Sequence, residues 1–211
     1  MPAKKKPKAP EKPNRQAQKE ETREKVRTAA LELFSTLGFD ETTTKAVADR
    51  AGVATGTVFV HARDKVDLLC LVMHVQIDDA VANAFATLPG PETPILDRLL
   101  HVFRFVFDMY GRHPKLAPPF IKNLPGADGP NGLAVSRTTF EFLGRIAAML
   151  SDAQATGEIA SDIPPLLFAQ NVFALYFFSL LGWVSGYTTL ETAVDPHLSS
   201  ALGLLLRGLD R

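Results

Sequence analysis

The sequence predicts an all-α protein, with short helices up to about residue 65 and longer helices after it. Apolar residues recur at spacings of three and four, which is the period of one helical face, and no segment has the alternation of a strand. Glycine and proline interrupt the pattern and mark helix ends, as at Gly38 and Gly52. The chain has 211 residues, 46% of them hydrophobic, so it can bury a core without disulfides or a metal.

Four helices are predicted in the first part of the chain. The first carries apolar residues from Val26 to Leu37, with Thr22 as its N-cap and Gly38 as its end. Asp64 is predicted to cap the fourth helix, which extends to about Ala86. Between them lie two shorter helices, at residues 44–51 and 55–62, separated by Gly52.

The longer helices are predicted further along, beyond a proline-rich connection. The segment LPGADGPNG, residues 124–132, contains turn residues throughout and is predicted to be a loop. The predicted helices span about residues 95–110, 133–155, 164–185 and 196–209.

The two parts of the chain differ in charge although the net charge is zero. Residues 1–65 contain 14 Lys and Arg against 9 Asp and Glu, a net of +5, and residues 66–211 have a net of −5. Residues 1–19 hold seven basic side chains and one acidic residue, Glu11, with almost no large apolar residue. We interpret 1–19 as a disordered basic arm, and a simple solubility tail remains the alternative.

Several classes of chemistry lack their motifs in this sequence. The five histidines are scattered, and there is no HExxH motif, glycine-rich phosphate loop or GxSxG elbow. His74 and Asp78 share a helix face, a pattern more typical of a solvated surface than of a metal site. The single cysteine, Cys70, lies among leucines and is expected to be buried in a reduced, cytoplasmic protein. We therefore expect no enzyme activity, no catalytic residues, no cofactor and no metal.

Residues 43–62 have the pattern of a helix-turn-helix. Such a motif needs a small residue where its helices cross, a residue that tolerates left-handed backbone in the turn, and apolar residues that lock the helices together. The predicted framework residues are Ala48, Gly52, Val53 and Val58. Gly56 permits a close backbone approach, and the exposed face of the second helix carries Thr55, Thr57 and His61, which can contact bases or phosphates.

The run AALELFSTLGFDETTTKAVADRAGVATGTVFVHARDKVDLL resembles the DNA-binding domain of the TetR family of bacterial regulators, over Thr22 to Leu69. The resemblance implies a DNA-binding domain at 20–80 and a helical domain for effector binding and dimerisation at 81–211. It implies a transcriptional regulator, most simply a repressor, that binds a palindromic operator in double-stranded DNA as a homodimer and leaves it when a small molecule binds.

The resemblance also assigns DNA contacts to particular residues. Thr43 caps the second helix of the domain and is placed for a phosphate contact, and Lys65 neutralises a phosphate at the start of the fourth helix. The third helix lies in the major groove. The complete set of expected DNA-binding residues is Thr43, Thr44, Thr55, Gly56, Thr57, Phe59, Val60, His61 and Lys65.

Three positions depart from the family's usual residues. Ala54 stands where serine is favoured, so the recognition helix lacks its usual N-cap, and Thr55 is the alternative cap. Phe59 replaces a common tyrosine, which removes a hydroxyl that often meets a phosphate. Ala62 replaces a usual phenylalanine and weakens the contact between the third and fourth helices.

Aromatic residues are abundant in the second domain. They exceed what a simple bundle needs, and they predict a pocket for an apolar or aromatic effector. His101, Arg104, Gln170 and Asn171 are candidate polar groups for orienting it. The expected pocket residues are Leu99, Phe103, Phe107, Tyr110, Phe140, Tyr176 and Trp183.

Residues 163–190 contain no charge, which allows two interpretations. The segment is long enough for a transmembrane helix, and a membrane-associated helical interaction protein is the alternative function. It is interrupted by polar residues and has no adjacent Lys or Arg to orient it. We therefore expect no membrane contact and place the homodimer interface on the last two helices, Pro164–Ser185 and Pro196–Leu209.

Overall fold

The structure is a computed structural model that describes residues 15–207, and every regular element in that range is helical. This confirms the predicted all-α fold. The DNA-binding portion holds α1 (Arg15–Thr36), α2 (Thr44–Ala51) and α3 (Thr55–His61). The long helix α4 (Lys65–Ala86) packs against α1 at one end and against the second domain along the rest.

The first helix begins earlier than the sequence predicted. Thr22 was expected to cap it, but α1 starts at Arg15, and the Thr22 hydroxyl donates to the main-chain oxygen of Gln18 one turn back. The capping interpretation is therefore wrong, because Thr22 lies inside the helix. The predicted arm 1–19 overlaps this helix at residues 15–19, and its remaining residues, 1–14, lie outside the described part of the chain.

The short helices begin and end where their local chemistry requires. The Thr43 hydroxyl accepts a hydrogen bond from the amide of Ala46 at 3.0 Å, which caps α2 as predicted. Gly52 ends α2 with a φ of 68°, a left-handed conformation that glycine adopts without strain. α3 begins directly at Thr55, and its cap position is Ala54, whose side chain can supply no hydrogen bond. Thr55 therefore does not replace the missing cap.

The second domain packs its helices around α5. Its longer members are α5 (Ile95–Arg112), α7 (Pro130–Ala155) and α8 (Pro165–Val184), with α7 lying along both α4 and α8. The predicted loop at 124–132 is only partly correct, since a 3₁₀ turn forms at Leu124–Gly126 and α7 begins at Pro130, whose fixed φ suits a first helical position. The remaining helices are α6 (Ala117–Asn123), which the sequence did not predict, α9 (Leu190–Thr192) and α10 (Ser199–Arg207). The segment 193–198 between the last two is kinked, and its backbone is not helical at Asp195.

Two helices are long and apolar enough to cross a membrane by length and composition, namely α4 and α8. Both belong to the bundle. α4 packs on α5 and α7, and α8 packs on α7. An all-round apolar helix in this setting is explained by burial within a fold or an interface.

Candidate nucleic-acid interface and ligand cavity

The helix-turn-helix framework is assembled as the sequence pattern requires. Val47, Ala48 and Val58 are fully buried, and Val53 is partly buried against the same core. α2 packs on both α1 and α3, and the amide of Val53 donates to the main-chain oxygen of Ala48 across the turn. The turn and the small residue at the crossing therefore fix the angle at which α3 leaves the domain.

One face of α3 is open to solvent. Thr55 and Gly56 are exposed at its first turn, and the side chains of Phe59 and Val60 are 49% and 65% exposed. Thr57 is half-buried and lies between this face and the core. Exposed apolar side chains of this size on a helix that is otherwise anchored indicate a contact surface.

The residues of α2 and its cap that were expected to contact DNA are only partly exposed to solvent. Thr43 is exposed while its hydroxyl caps the helix, and Thr44 is half-buried. Lys45 on the same turn is exposed and was not among the predicted contacts. Lysine side chains commonly contact DNA phosphates, and Lys45 lies in the first turn of the helix before α3. Its charge and its position in the sequence were therefore sufficient to predict it as a candidate phosphate contact.

His61 does not face the solvent as the sequence interpretation required. Its side chain is 6% exposed and lies at the buried end of α3. Burial lowers the pKa of His61 below its ordinary value of 6.5, and the nearby charges of Arg23 and Lys19 lower it further. The expectation of a base contact from His61 is therefore wrong, because the ring packs inward as a neutral group.

The Lys65 ammonium group makes its contacts within the protein. Its ammonium group donates to the main-chain oxygens of Phe39 at 3.0 Å and Asp40 at 3.1 Å, and it lies 4.5 Å from the centroid of the Phe39 ring. Phe39 in turn packs on Phe34 of α1. The residue expected to neutralise a phosphate therefore also holds the start of α4 to the segment that follows α1.

A basic groove borders α3 on the side of α1. Its lining has three basic residues and one acidic residue, namely Lys19, Arg23, Arg63 and Glu20, together with Phe59 and Val60 of α3. The guanidinium of Arg63 pairs with Asp64 and Asp128, which keeps it in place beside α3. The sequence revealed the positive charge of this region but not that α1 brings it alongside the recognition helix.

An apolar cavity lies in the second domain. Its volume is about 50 Å³, and α4, α5, α6, α7 and α8 all contribute to its wall. Tyr110 and Tyr176, both predicted pocket residues, line it. The other lining residues are Ile77, Val81, Val106, Phe120, Leu124, Val135, Thr138, Thr139, Phe142, Phe173 and Phe177.

The other predicted pocket residues lie elsewhere. Leu99, Phe103 and Phe107 are buried core residues, and the two phenylalanines pack on the Tyr176 ring at centroid distances of 4.8 and 5.5 Å. Phe103 and Phe107 therefore pack against Tyr176, which itself lines the cavity. Trp183 is partly buried near the end of α8, apart from the cavity.

Phe140 is a clear error of the sequence interpretation. Its side chain is 71% exposed on α7, so it cannot line an internal cavity. The helical period explains the result, because its neighbours Thr138, Thr139 and Phe142 take the inward positions. Aromatic type alone did not distinguish the two faces of this helix.

The hydroxyls of Tyr110 and Tyr176 interact with each other in this apolar wall. Burial raises the pKa of Tyr110 to about 12 and that of Tyr176 well above its usual value. Both groups therefore stay neutral at any physiological pH.

Polar groups also cluster at one edge of the cavity. The His74 Nε2 atom lies 2.9 Å from the Thr138 hydroxyl, which donates to the Asp78 carboxylate at 3.1 Å. The expected polar group His101 points away instead, bonding the main-chain oxygen of Ala84 at 3.1 Å. Arg104, Gln170 and Asn171 are exposed. Within residues 15–207 no group of three or more His, Cys, Asp or Glu could hold a metal ion.

A helix that presents one face to solvent while the other is locked onto two neighbours is the arrangement of helix-turn-helix DNA-binding proteins. The family comparison agrees with this class, since residues 26–70 match the family model described as bacterial regulatory proteins, tetR family. Residues 26–70 are therefore similar to the DNA-binding domain of the tetR family of bacterial regulatory proteins. A comparison with curated proteins finds no match.

Solved structures share the whole architecture. FadR from Thermus thermophilus, a TetR-family transcriptional repressor in complex with lauroyl-CoA, is 27% identical, with 88% of this chain and 94% of that chain covered at a TM-score of 0.65. FadR from Bacillus subtilis, in complex with stearoyl-CoA, is 19% identical over 88% and 98%, with a TM-score of 0.66. A TetR transcriptional regulator from Rhodococcus sp. RHA1 is 22% identical over 90% and 97%, with a TM-score of 0.69.

Proposed function

We propose that this protein is a homodimeric, cytoplasmic, non-enzymatic repressor that binds a palindromic operator through α3 and is released from it by a long-chain fatty acyl thioester. The observation that carries the effector assignment is the apolar cavity lined by α4, α5, α6, α7 and α8. A hydrocarbon chain matches such a wall because burial of apolar surface drives its binding. Similarity to the two regulators solved with acyl-CoA thioesters supports the same class of ligand here.

For DNA, we propose that α3 enters the major groove with Thr55, Gly56, Thr57 and Val60 toward the bases. Thr43, Thr44 and Phe59 would lie at the rim beside the phosphates, where Lys45 adds a charge. The basic groove of Lys19, Arg23 and Arg63 supports a further backbone contact on the side of α1. Lys65 retains a third ammonium hydrogen for a phosphate beyond the two that bond main-chain oxygens.

The size of the cavity determines how the effector would act. Pockets that hold drug-sized ligands measure about 300–1,000 Å³, whereas this one measures about 50 Å³. A fatty acyl chain therefore fits only if the surrounding helices move apart. Because α4 carries Ile77 and Val81 in the cavity wall and leads directly back to α3, that movement is linked to the orientation of the recognition helix.

Dimerisation is proposed on α8 and α10. Phe178 is 77% exposed and Leu204 is 64% exposed, and both border the same surface depression between these helices. Leu166, Leu167 and Leu181 add further exposed apolar surface to α8. An exposed apolar surface of this extent indicates a contact with a partner. A second copy of the chain would also supply the two-fold symmetry that a palindromic operator requires.

The DNA assignment is tested by selection from random duplexes with the full-length protein. We expect enrichment of a palindrome whose half-sites are about one helical turn apart, or a multiple of that distance. Failure to enrich any palindromic sequence would contradict the proposed mode of binding.

The effector assignment is tested by calorimetry with lauroyl-CoA, using free coenzyme A and laurate as matched ligands. We expect binding of the thioester and loss of operator affinity on its addition. Thr139→Phe, which fills the cavity, should weaken binding at least tenfold, while Thr139→Val, which keeps the volume, should not. Equal affinity of both variants for the thioester would show that it binds elsewhere.

A further inference from the structure

The start of α7 is capped by a residue from another helix. The cap position of α7 is Gly129, which has no side chain to offer. The carboxylate of Asp67, on α4, instead accepts from the amides of Asn131 at 2.8 Å and Gly132 at 3.2 Å. Helix amides at these positions have no partner within their own helix, so Asp67 supplies the missing acceptor.

The contact is close enough to require glycine at the cap. A Cβ atom at position 129 would lie 2.4 Å from the Asp67 carboxylate, closer than real Cβ contacts come. Asp67 is itself 2% exposed and also accepts from the main-chain amide of Arg63 at 2.9 Å. The start of α7, the start of α4 and the segment that follows α3 therefore meet at one carboxylate.

Asn131 extends this contact to the recognition helix. Its side-chain amide donates to the main-chain oxygen of His61, the last residue of α3, at 2.9 Å, and to Asp67 at 3.0 Å. Its side-chain oxygen accepts from the guanidinium of Arg23 on α1 at 2.9 Å. Asn131 is 2% exposed, so water cannot replace these bonds and they hold a single geometry.

The same helix forms part of the cavity wall. Val135 follows Asn131 by about one turn, and Thr138, Thr139 and Phe142 lie on the next turns. Any ligand that moves the start of α7 relative to α4 must therefore strain or break the bonds at Asn131.

We propose that Asn131 is the positioning residue through which α7 holds the end of the recognition helix. It gives the cavity a connection to α3 that is separate from the chain connection through α4. The movement of α7 on effector binding rests on the proposed function. The bond from Asn131 to the end of α3 does not depend on any ligand. Coupling between two sites is reciprocal, so operator DNA on α3 must alter the start of α7 through this residue.

Hydrogen exchange on the full-length protein, with and without saturating duplex operator, tests this reciprocity. In the wild type we expect DNA to slow exchange both in the first turns of α4 and in α7 residues 131–142. In Asn131→Ala we expect the α4 effect to persist and the α7 effect to be lost. The control is Leu150→Ala, which removes a fully buried side chain from the other end of α7. It should keep both effects despite its lower stability.

An unchanged α7 effect in Asn131→Ala, or none in the wild type, would overturn the proposal. If Asn131→Ala does not fold, Asn131→Ser replaces it, since the shorter side chain cannot span to the His61 oxygen. With lauroyl-CoA as probe, the fold reduction in operator affinity is expected to be at least fivefold smaller in the variant than in the wild type. Wild type that fails to bind lauroyl-CoA contradicts the effector class alone, and the exchange result still decides the role of Asn131.

Discussion

Lys65, at the start of α4, is bonded to Phe39 in the segment between α1 and α2. The Lys65 ammonium donates to the Phe39 main-chain oxygen at 3.0 Å and lies over the Phe39 ring. Both interactions favour a cation that is partly withdrawn from water. The start of α4, which leads to the apolar cavity, is thereby fixed to the segment that connects α1 to α2.

Replacing Lys65 should therefore affect both stability and DNA binding. Lys65→Met keeps the apolar stem but loses the charge-assisted hydrogen bonds, and we expect a loss of about 1–2 kcal/mol in the free energy of unfolding. Operator affinity should also fall, with a smaller salt dependence if a phosphate contact is lost. Urea unfolding and binding at several salt concentrations measure the two effects. Lys122→Met, an exposed lysine on α6, is the control and should change neither.

The missing cap of α3 predicts a gain in stability. Ala54 has the extended backbone of a cap residue, with φ −66° and ψ 147°, but no side-chain acceptor. Ala54→Ser should add about 1 kcal/mol to the free energy of unfolding, because its hydroxyl can bond a free amide of the first turn. Thr43→Ala is the matched opposite and should lose a similar amount by removing the bond to Ala46. Urea unfolding that finds no gain for Ala54→Ser would contradict this account.

Local chemistry made the DNA-binding domain predictable, and tertiary contacts limited the rest. Thr43, Gly52 and Asp64 end or cap helices through bonds within a few residues, so the sequence pattern was sufficient to place them. Asn131 stands in a segment predicted to be a loop, because the acceptor that caps its helix is Asp67, 64 positions earlier. No periodicity encodes that pairing.

Tertiary contacts also limited the prediction of the DNA-binding face and the cavity. Residue type indicated aromatic walls and a histidine on α3, but the direction of each side chain depends on the neighbouring helices. Phe140 faces outward and His61 inward for that reason. The groove beside α3 was missed because α1 extends toward it from Arg15, before the start that was predicted.

The tyrosine pair in the cavity predicts strongly non-additive mutations. Tyr110→Phe or Tyr176→Phe alone leaves the other hydroxyl buried without the hydroxyl that it interacts with, and each should cost about 1–3 kcal/mol of unfolding free energy. The double variant removes both hydroxyls and should cost less than the sum of the two single variants. A double-mutant cycle by urea unfolding measures the difference. Strict additivity would mean that the hydroxyls do not depend on each other.

One buried and one half-buried histidine, His61 and His113, predict loss of stability in mild acid. The pKa of His61 is lowered by burial and nearby positive charge, and that of His113 is lowered by burial and Arg112. The unfolded chain then binds more protons than the folded one as pH falls below about 6.5, so stability decreases through this range and is regained on raising the pH. His61→Phe should flatten the dependence measured by urea unfolding between pH 5 and 8. His113→Phe should remove a separate part of it. A profile unaltered by either substitution would contradict the assignment.

The exposed face of α8 predicts the oligomeric state. Phe178→Asp places a charge on the 77% exposed position at the proposed interface, and burying an unpaired carboxylate there would be costly. We expect the variant to sediment as a monomer at concentrations where the wild type is a dimer. Its operator affinity should fall at least tenfold, since one half-site supplies only part of the contacts. Phe140→Asp is the control, because Phe140 is 71% exposed on α7, outside the proposed interface, and should leave the dimer intact. A dimeric Phe178→Asp, or a monomeric wild type, would require a different interface from α8 and α10.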